Sequence, residues 1–300
     1  MWKSPINANG KLFRRDQCEN EPGSRVSLFD RGFLYGDSLY EVWRTYGGKV
    51  YGLEDHLDRL EKSAKLMRMQ ITQPRDIYRK EILRTLEEFK KVFSDEEAYI
   101  RLVVTRGEGK IGFGLNCIES PSQYFIITQP LQEPTPVQLR RGLYLRIVSR
   151  LRNDVRALNP AMKTGNYLNS LLAYLEAMPS FDDALMCNAE GHLTEGTTFN
   201  IGYIRRGILA TPPLDVGILE GITRKKIITL ARDLGIQVRE VRFPAERLYE
   251  ANEVFALSTL KEIFPITRIN DQVIGDGKPG PITTRLRDAF QKAARKEVEL

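Results

Sequence analysis

The chain has 300 residues, 42% of them hydrophobic, which is enough to bury a large core and predicts about two domains. It contains no apolar run near the roughly 20 residues of a membrane span, and its first residues lack the apolar segment of a secretory signal. The net charge is +6, and the 45 lysine and arginine residues are spread evenly along the chain with 39 acidic residues among them. This argues against a nucleic-acid interface, because such an interface needs a segregated basic face.

Cysteine and histidine are too few and too scattered to indicate a metal centre. Cys18, Cys117 and Cys187 are odd in number and have no C-x-x-C spacing, so we expect a reduced, cytoplasmic chain without disulfides. His56 and His192 are the only histidines. The sequence therefore predicts no metal site.

The first half of the chain predicts an α+β domain. An irregular segment to Gly23 precedes two or three strands around the hairpin signal Gly47-Gly48. From Glu54, apolar residues recur at helical spacing, and a second helix begins near Pro74. Two further strands with a glycine-rich loop between them follow.

The proline-rich stretch QPLQEPTP is the best candidate linker. It divides the chain into a small domain at residues 1–129, a linker at 130–137 and a larger domain at 138–300. Immediately after the linker, VQLRRGLYLRIVSR predicts a long strand or strand pair. Further strands follow, with helices after Lys163, after Gly221 and at the C-terminus.

Lys163 is the leading catalytic candidate. Pro160 cannot occupy a helix interior, so the lysine lies in a loop just before a helix-like run. A partly buried lysine loses its proton easily and can form a Schiff base. Tyr167, four residues further on, could direct its phenol the same way. A surface lysine is the plain alternative.

Glu195, in HLTEGTTFN, is the candidate carboxylate. A surface loop glutamate is the plain alternative. A buried position would be unusual, because an unpaired buried charge is costly. The functional interpretation is a carboxylate that keeps a heterocycle nitrogen protonated, as pyridoxal phosphate requires.

Three features predict a phosphate site. Gly221, Ile222 and Thr223 form a helix start, where free N–H groups and the helix dipole attract an anion. Ser258-Thr259 adds hydroxyls at a strand end, although such residues often only cap turns. Arg59 lies beside the apolar stripe of its helix and could donate paired hydrogen bonds to a phosphate. A solvated arginine is the alternative.

Together these motifs resemble the fold-type IV (class IV) pyridoxal-phosphate aminotransferases, which include branched-chain, D-amino acid and aminodeoxychorismate lyase members. The resemblance covers about Ser24 to Ala294 and rests on five motifs in the family's order. It implies an α+β, two-domain fold-type IV enzyme, with a small α/β domain, a short linker and a larger pseudo-barrel domain. It also implies a homodimer.

The resemblance implies a role for each candidate residue. Lys163 would bind pyridoxal 5'-phosphate covalently and then carry a proton, and Glu195 would pair with the ring nitrogen. Tyr167 would hydrogen-bond the phenolic oxygen of the cofactor. The phosphate would be held by Arg59, Ile222, Thr223 and Thr259.

The substrate class depends on the pocket. The Arg-x-His pair of D-amino acid enzymes is missing, since Ile111 and Phe113 occupy those places. The family resemblance and strand alternation favour an L-branched-chain donor and 2-oxoglutarate, with D-amino acid transamination as the alternative and lyase chemistry less favoured. Leu260 and Lys261 stand where branched-chain enzymes have two small residues. The predicted substrate-binding residues are Tyr35, Tyr40, Tyr99, Arg101, Leu260 and Lys261.

Overall fold

The computed structural model describes residues 3–14 and 24–299, and the chain forms two compact units. The first unit comprises Met1–Gln132, Met162–Asn166 and Glu297–Leu300, and the second comprises Glu133–Ala161 and Tyr167–Lys296. The loop with Lys163 thus packs with the first unit. The boundaries of the predicted domains stay a prediction.

An antiparallel six-stranded sheet forms the frame of the first unit, with strand order β2-β1-β6-β5-β3-β4. The strands are β1 Pro5–Ala8, β2 Lys11–Arg14, β3 Ser38–Tyr46, β4 Lys49–Val50, β5 Ala98–Thr105 and β6 Gln123–Pro130. The helices are α1 Arg31–Tyr35, α2 Leu53–Leu66 and α3 Arg75–Val92, with a 3-10 turn at Leu115–Cys117.

The core of this unit lies between the sheet and helices α2 and α3. Trp43 of β3 and Phe89 of α3 are both fully buried in it. Removal of an aromatic side chain of this kind costs about 3–5 kcal/mol of stability. Ile100 and Leu102 of β5 are buried in the same core. Alternation along β5 therefore turns Tyr99 and Arg101 to the other face of the sheet.

The second unit contains a nine-stranded mixed sheet. Its order is β12-β11-β10-β13-β14-β7-β8-β9, and β15 pairs with β14. The strands are β7 Leu143–Ile147, β8 Asp183–Cys187, β9 Leu193–Gly196, β10 Asn200–Arg205, β11 Ile208–Thr211, β12 Val238–Glu240, β13 Glu253–Ser258, β14 Glu262–Ile269 and β15 Gln272–Val273. The helices are α4 Pro136–Arg141, α5 Leu168–Ala177, α6 Ile222–Asp233 and α7 Pro281–Glu299, with 3-10 turns at Leu214–Val216 and Ala245–Glu250.

Three local features differ from the sequence interpretation. Part of the segment before Gly23 forms the hairpin β1–β2, which turns at Asn9 and Gly10 with positive φ at both. Residues 31–35, predicted as part of a strand region, form the short helix α1. The predicted strand after the linker begins instead with helix α4, because Thr135 makes a capping box and Pro136 occupies its first turn.

Two further expectations concern the cysteines and the membrane. Cys117 and Cys187 are both free thiols, whereas Cys18 lies outside the described residues. Within residues 3–14 and 24–299, no helix is long and apolar enough to cross a membrane.

Candidate active site

The loop that carries Lys163 lies along the edge of strand β3. The Tyr40 N–H donates to the Lys163 carbonyl oxygen at 3.1 Å, and the Gly165 N–H donates to the Ser38 carbonyl oxygen at 2.9 Å. The Lys163 N–H donates to Ser63 Oγ of α2 at 3.2 Å. The backbone of the lysine is thus fixed to both a strand and a helix.

The Lys163 ammonium contacts the side chain of Tyr40. Lys163 Nζ donates to Tyr40 Oη at 2.8 Å and lies 4.2 Å from the centre of the tyrosine ring. Arg101 Cζ lies 4.3 Å from the centre of the same ring. Tyr40 is only 6% exposed. A buried phenol therefore connects the candidate catalytic lysine with a guanidinium.

The other two predicted pocket residues of this unit, Tyr99 and Tyr35, lie in different places. Tyr99 shares a face of β5 with Arg101, and the pairing of Tyr40 with Val103 puts Tyr40 on that face too. Tyr35, at the end of α1, instead contacts the loop after β5. Its hydroxyl accepts from the Gly112 N–H at 3.1 Å.

Arg59 is buried, which excludes the solvated alternative. Its Nε donates to Glu41 Oε1 at 2.8 Å, and its Nη2 donates to Glu41 Oε2 at 2.7 Å. His56 Nδ1 also lies 2.7 Å from Glu41 Oε2. The paired hydrogen bonds expected toward a phosphate are thus made to a carboxylate on β3. This carboxylate fixes the arginine.

The charges of this cluster are set by burial and by mutual contact. Burial alone would raise the pKa of Glu41, but the charge and hydrogen bonds of Arg59, with a smaller contribution from His56, lower that pKa to about 2. Burial lowers the pKa of His56 to about 4, against the attraction of Glu41. The cluster at neutral pH is therefore an ionised glutamate, a charged arginine and a neutral histidine.

In the second unit, Glu195 lies on β9 and is 4% exposed. The surface alternative is therefore excluded. Its Oε1 accepts from Arg152 Nε at 3.0 Å. Its Oε2 accepts from Asn200 Nδ2 and from the Leu219 N–H, each at 3.1 Å. One ionic and two neutral donors thus compensate the burial of an ionised carboxylate.

The same network extends to the start of helix α6. Asn200 Nδ2 also donates to the Leu219 carbonyl oxygen at 3.0 Å. A Cβ at Gly221 would lie 1.9 Å from Asn200 Oδ1, so only glycine fits at this N-cap. Because glycine has no side chain to cap the helix, an anion is a suitable acceptor for the N–H groups of Ile222 and Thr223.

The turn between β13 and β14 carries the remaining candidates. It comprises Ser258, Thr259, Leu260 and Lys261, and the Lys261 N–H donates to Ser258 Oγ at 3.2 Å. The Lys261 ammonium lies 3.6 Å from Asp183 Oδ2. Tyr167 directly precedes α5, which begins at Leu168. Helical spacing therefore does not relate Tyr167 to Lys163.

Four residues that support these candidates were not predicted from the sequence. Glu41 and His56 both contact Arg59, and their position next to Tyr40 and in the same helix as Arg59 was the available signal. Asn200 stands five residues after Glu195 in the same motif, HLTEGTTFN. Arg152 had no such signal, since only the folded chain brings it to Glu195.

The residues present fit a ligand with a phosphate, an aldehyde and a ring nitrogen. In the first unit, a lysine suits the aldehyde and a fixed arginine suits the phosphate. In the second unit, taken by itself, a helix start suits the phosphate and a buried carboxylate suits the nitrogen. Among the residues that the structure describes, no group of three or more histidine, cysteine, aspartate or glutamate side chains could hold a metal ion.

Comparison with known proteins agrees with this chemistry. A model of the amino-transferase class IV family matches residues 38–269. A Methanocaldococcus jannaschii protein, with a provisional description as a branched-chain-amino-acid aminotransferase, is 38% identical over 282 residues, or 94% of this chain and 95% of its own. The D-alanine aminotransferase of Bacillus licheniformis is 30% identical over 291 residues, or 96% of each chain.

A solved structure extends the likeness to the fold. The branched-chain aminotransferase of the thermophilic archaeon Thermoproteus uzoniensis, solved with norvaline, superposes with a TM-score of 0.86 at 31% identity. The match covers 98% of this chain and 95% of that one. The predicted fold-type IV architecture is therefore confirmed.

The chain belongs to the class IV aminotransferase family. It is a pyridoxal-phosphate-dependent aminotransferase, as predicted, and its substrates are amino acids and 2-oxo acids.

Proposed function

We propose that this pyridoxal-phosphate enzyme transfers the amino group of an L-branched-chain amino acid to 2-oxoglutarate. The observation that carries the proposal is the arrangement at Tyr40, whose hydroxyl accepts from Lys163 Nζ while its ring stacks against Arg101. A nucleophilic amine and a cation that suits a carboxylate thus flank one side chain.

The proposed cofactor-binding residues are those predicted from the sequence. Lys163 is the covalent attachment point and Glu195 the partner of the ring nitrogen. Tyr167 is the donor to the phenolic oxygen, and the phosphate is bound by Arg59, Ile222, Thr223 and Thr259. When bound, the cofactor supplies an electron sink for the carbanion formed at the substrate Cα.

The chain's own residues supply proton transfer and charge. Lys163 carries the proton that leaves Cα, and Tyr40 orients its amine through the 2.8 Å hydrogen bond. Glu195, held by Arg152, stays ionised and keeps a proton on the ring nitrogen. Glu41 holds Arg59 ready for the phosphate through two hydrogen bonds.

The substrate assignment rests on Arg101. Its side chain has no carboxylate partner among the described residues, and it lies on the same face of β5 as Tyr99. A guanidinium suits the distal carboxylate of glutamate, while the aromatic rings suit an apolar branched chain. The Thermoproteus uzoniensis relative, which was solved with norvaline, an apolar amino acid, supports the apolar side of this assignment.

Transamination of D-amino acids is the second candidate. The Bacillus licheniformis D-alanine aminotransferase aligns with 96% of the chain. Against it, Ile111 and Phe113 replace the Arg-x-His pair expected of D-amino acid enzymes. Ile111 is 75% exposed and Phe113 is 84% exposed, so neither is a core residue.

A homodimer is part of the proposal. Large apolar side chains are exposed in one part of the first unit, around α1 and the loop after β5, and exposed patches of this kind mark interaction surfaces. The most exposed of them are Leu28, Phe29, Phe33, Ile111, Phe113 and Leu115. A cytoplasmic location, expected from the cysteine pattern, also stays a proposal.

A panel of amino donors tests the substrate. L-leucine, L-valine, L-isoleucine, D-alanine and D-glutamate are each assayed against 2-oxoglutarate, with formation of L- or D-glutamate as the readout. We expect turnover with the three L-amino acids. Faster turnover with either D-amino acid than with L-leucine would overturn the branched-chain assignment and leave the class IV aminotransferase assignment standing.

A further inference from the structure

Lys261 places an ammonium group in the turn that carries Thr259, where the resemblance predicts a small residue. Its side chain is 33% exposed, and its Nζ lies 3.6 Å from Asp183 Oδ2. The same Nζ lies 4.9 Å from the centre of the Phe199 ring. The lysine therefore links the β13–β14 turn to two residues of other strands and loops.

Asp183 is a fixed anchor for this lysine. It is 6% exposed, and its Oδ1 accepts from the Ala184 N–H at 2.8 Å and from Thr197 Oγ1 at 2.6 Å. Oδ2 faces Lys261. The carboxylate is therefore fixed by two hydrogen bonds at one oxygen, while its other oxygen faces the partly exposed ammonium.

The loop Gly196–Phe199 is the second anchor, and it adjoins the Glu195 network. It begins directly after Glu195 and ends directly before Asn200, which donates to Glu195 Oε2. A Cβ at Gly196 would lie 2.1 Å from the Phe199 ring, so the ring packs closely on this backbone. Phe199, at the end of the loop, therefore packs against Gly196, at its start.

The turn itself is constrained at its far end. Ser258 and Glu262 pair across it, and Glu262 has φ of +57°, in the left-handed region that costs a non-glycine residue energy. The Lys261 N–H to Ser258 Oγ hydrogen bond closes the turn from within. Such a backbone persists only where its surroundings hold it.

We propose that Lys261 is a positioning residue that fixes the turn Ser258–Lys261, and Thr259 with it, against Asp183 and the loop Gly196–Phe199. This rests on the proposed function in one respect, namely that the turn contacts cofactor or substrate. The ammonium is thus held by the protein and is not a binding group for acidic substrates.

The test is a double-mutant cycle on the purified enzyme. The variants are Lys261→Met, Asp183→Asn, their combination, and Lys261→Arg, with Lys292→Met as control, since Lys292 is exposed on α7. Two readouts are collected, kcat and KM with L-leucine and with L-glutamate, and amide hydrogen exchange over residues 257–263.

We expect Lys261→Met to raise KM about 2–5-fold for both donors, the range of a partly exposed ion pair, with kcat within about twofold. Exchange over 257–263 should quicken by a similar factor. The double variant should be no worse than the worse single variant, because the two residues form one contact. Lys261→Arg, which keeps the positive charge, should have near wild-type values, and so should Lys292→Met.

Two outcomes would overturn the proposal. A rise of KM for L-glutamate alone in Lys261→Met, with a lower KM for L-glutamate in Asp183→Asn, would show that Lys261 binds substrate directly. Independent, multiplying effects of the two substitutions would show that the ion pair does not act. If the wild type transaminates no donor, the proposed function fails, while hydrogen exchange still decides whether Lys261 fixes the turn.

Discussion

Two buried carboxylates, Glu41 and Glu195, each pair with an arginine, yet the contacts differ. Both oxygens of Glu41 accept from the fork of Arg59, and His56 approaches one of them. Glu195 accepts from Arg152 Nε at one oxygen, and two neutral donors share its other oxygen. The first contact fixes an arginine, whereas the second fixes a carboxylate.

The difference fits the roles proposed for Arg59 and Glu195. A fully engaged carboxylate such as Glu41 has little capacity for a further ligand, so its role is to orient Arg59. Glu195 is held by one cationic and two neutral donors, so its surroundings fix a carboxylate without surrounding it with cations. Substitutions on each side should therefore affect different observables.

The largest effect is expected from Glu195→Gln, because an amide cannot keep a proton on the ring nitrogen. We expect kcat/KM with L-leucine to fall about 100-fold or more, while cofactor absorbance per chain stays near that of the wild type. Glu246→Gln is the matched control, since Glu246 is exposed. A loss of less than about threefold would place the proton elsewhere.

The stability of the fold in acid tests the Glu41 cluster through His56. The folded pKa of His56, about 4, lies below its ordinary value of 6.5. The unfolded chain therefore binds the proton first, and stability is lost as pH falls from about 6.5 toward 4. From pH 7 to 5 this group contributes a loss of about 2 kcal/mol.

The variant His56→Asn should reduce that loss, because asparagine can still donate to Glu41 but does not titrate. Urea denaturation at pH 7 and pH 5 measures the difference for both proteins. The lowered pKa of Glu41, about 2, adds a loss only below about pH 4.5. Equal pH sensitivity in the variant and the wild type would contradict the neutral, buried histidine.

The smallest effect on function is expected from Arg59→Ala, which also destabilises the fold because it leaves the buried Glu41 carboxylate without its arginine partner. Loss of a charge-assisted hydrogen bond should weaken cofactor binding about tenfold, measured as pyridoxal phosphate retained after dialysis. Arg140→Ala serves as control, since Arg140 is exposed. Retention equal to that of the wild type would show that Glu41 holds Arg59 for a purely structural purpose.

Local sequence signals predicted most elements but not all. The pattern after Glu54 gave helix α2, and Pro74 marked the start of α3. The hairpin at Asn9-Gly10 and the capping box at Thr135 also had signals, an Asn-Gly pair and a T-P-x-Q start. The capping signal at Thr135 competes with a strand-like composition after Val137, and the structure follows the capping signal with helix α4.

The sequence predicted individual site residues but not the side chains that contact them. Lys163, Glu195 and Arg59 stand in recognisable motifs, and burial now excludes the surface alternative for the last two. Their partners depend on strand pairing over long separations. Tyr40 meets Lys163 across 123 residues, and Arg152 meets Glu195 across 43. No local pattern encodes such contacts.

Whether Lys163 holds the cofactor is tested most directly by chemical reduction. The purified enzyme is treated with borohydride, digested, and analysed by mass spectrometry for a phosphopyridoxyl group on lysine. We predict the label on Lys163, and no labelled peptide from Lys163→Ala although that variant still binds the cofactor without a covalent bond. A label on another lysine, Lys261 above all, or normal turnover by Lys163→Ala would contradict this assignment.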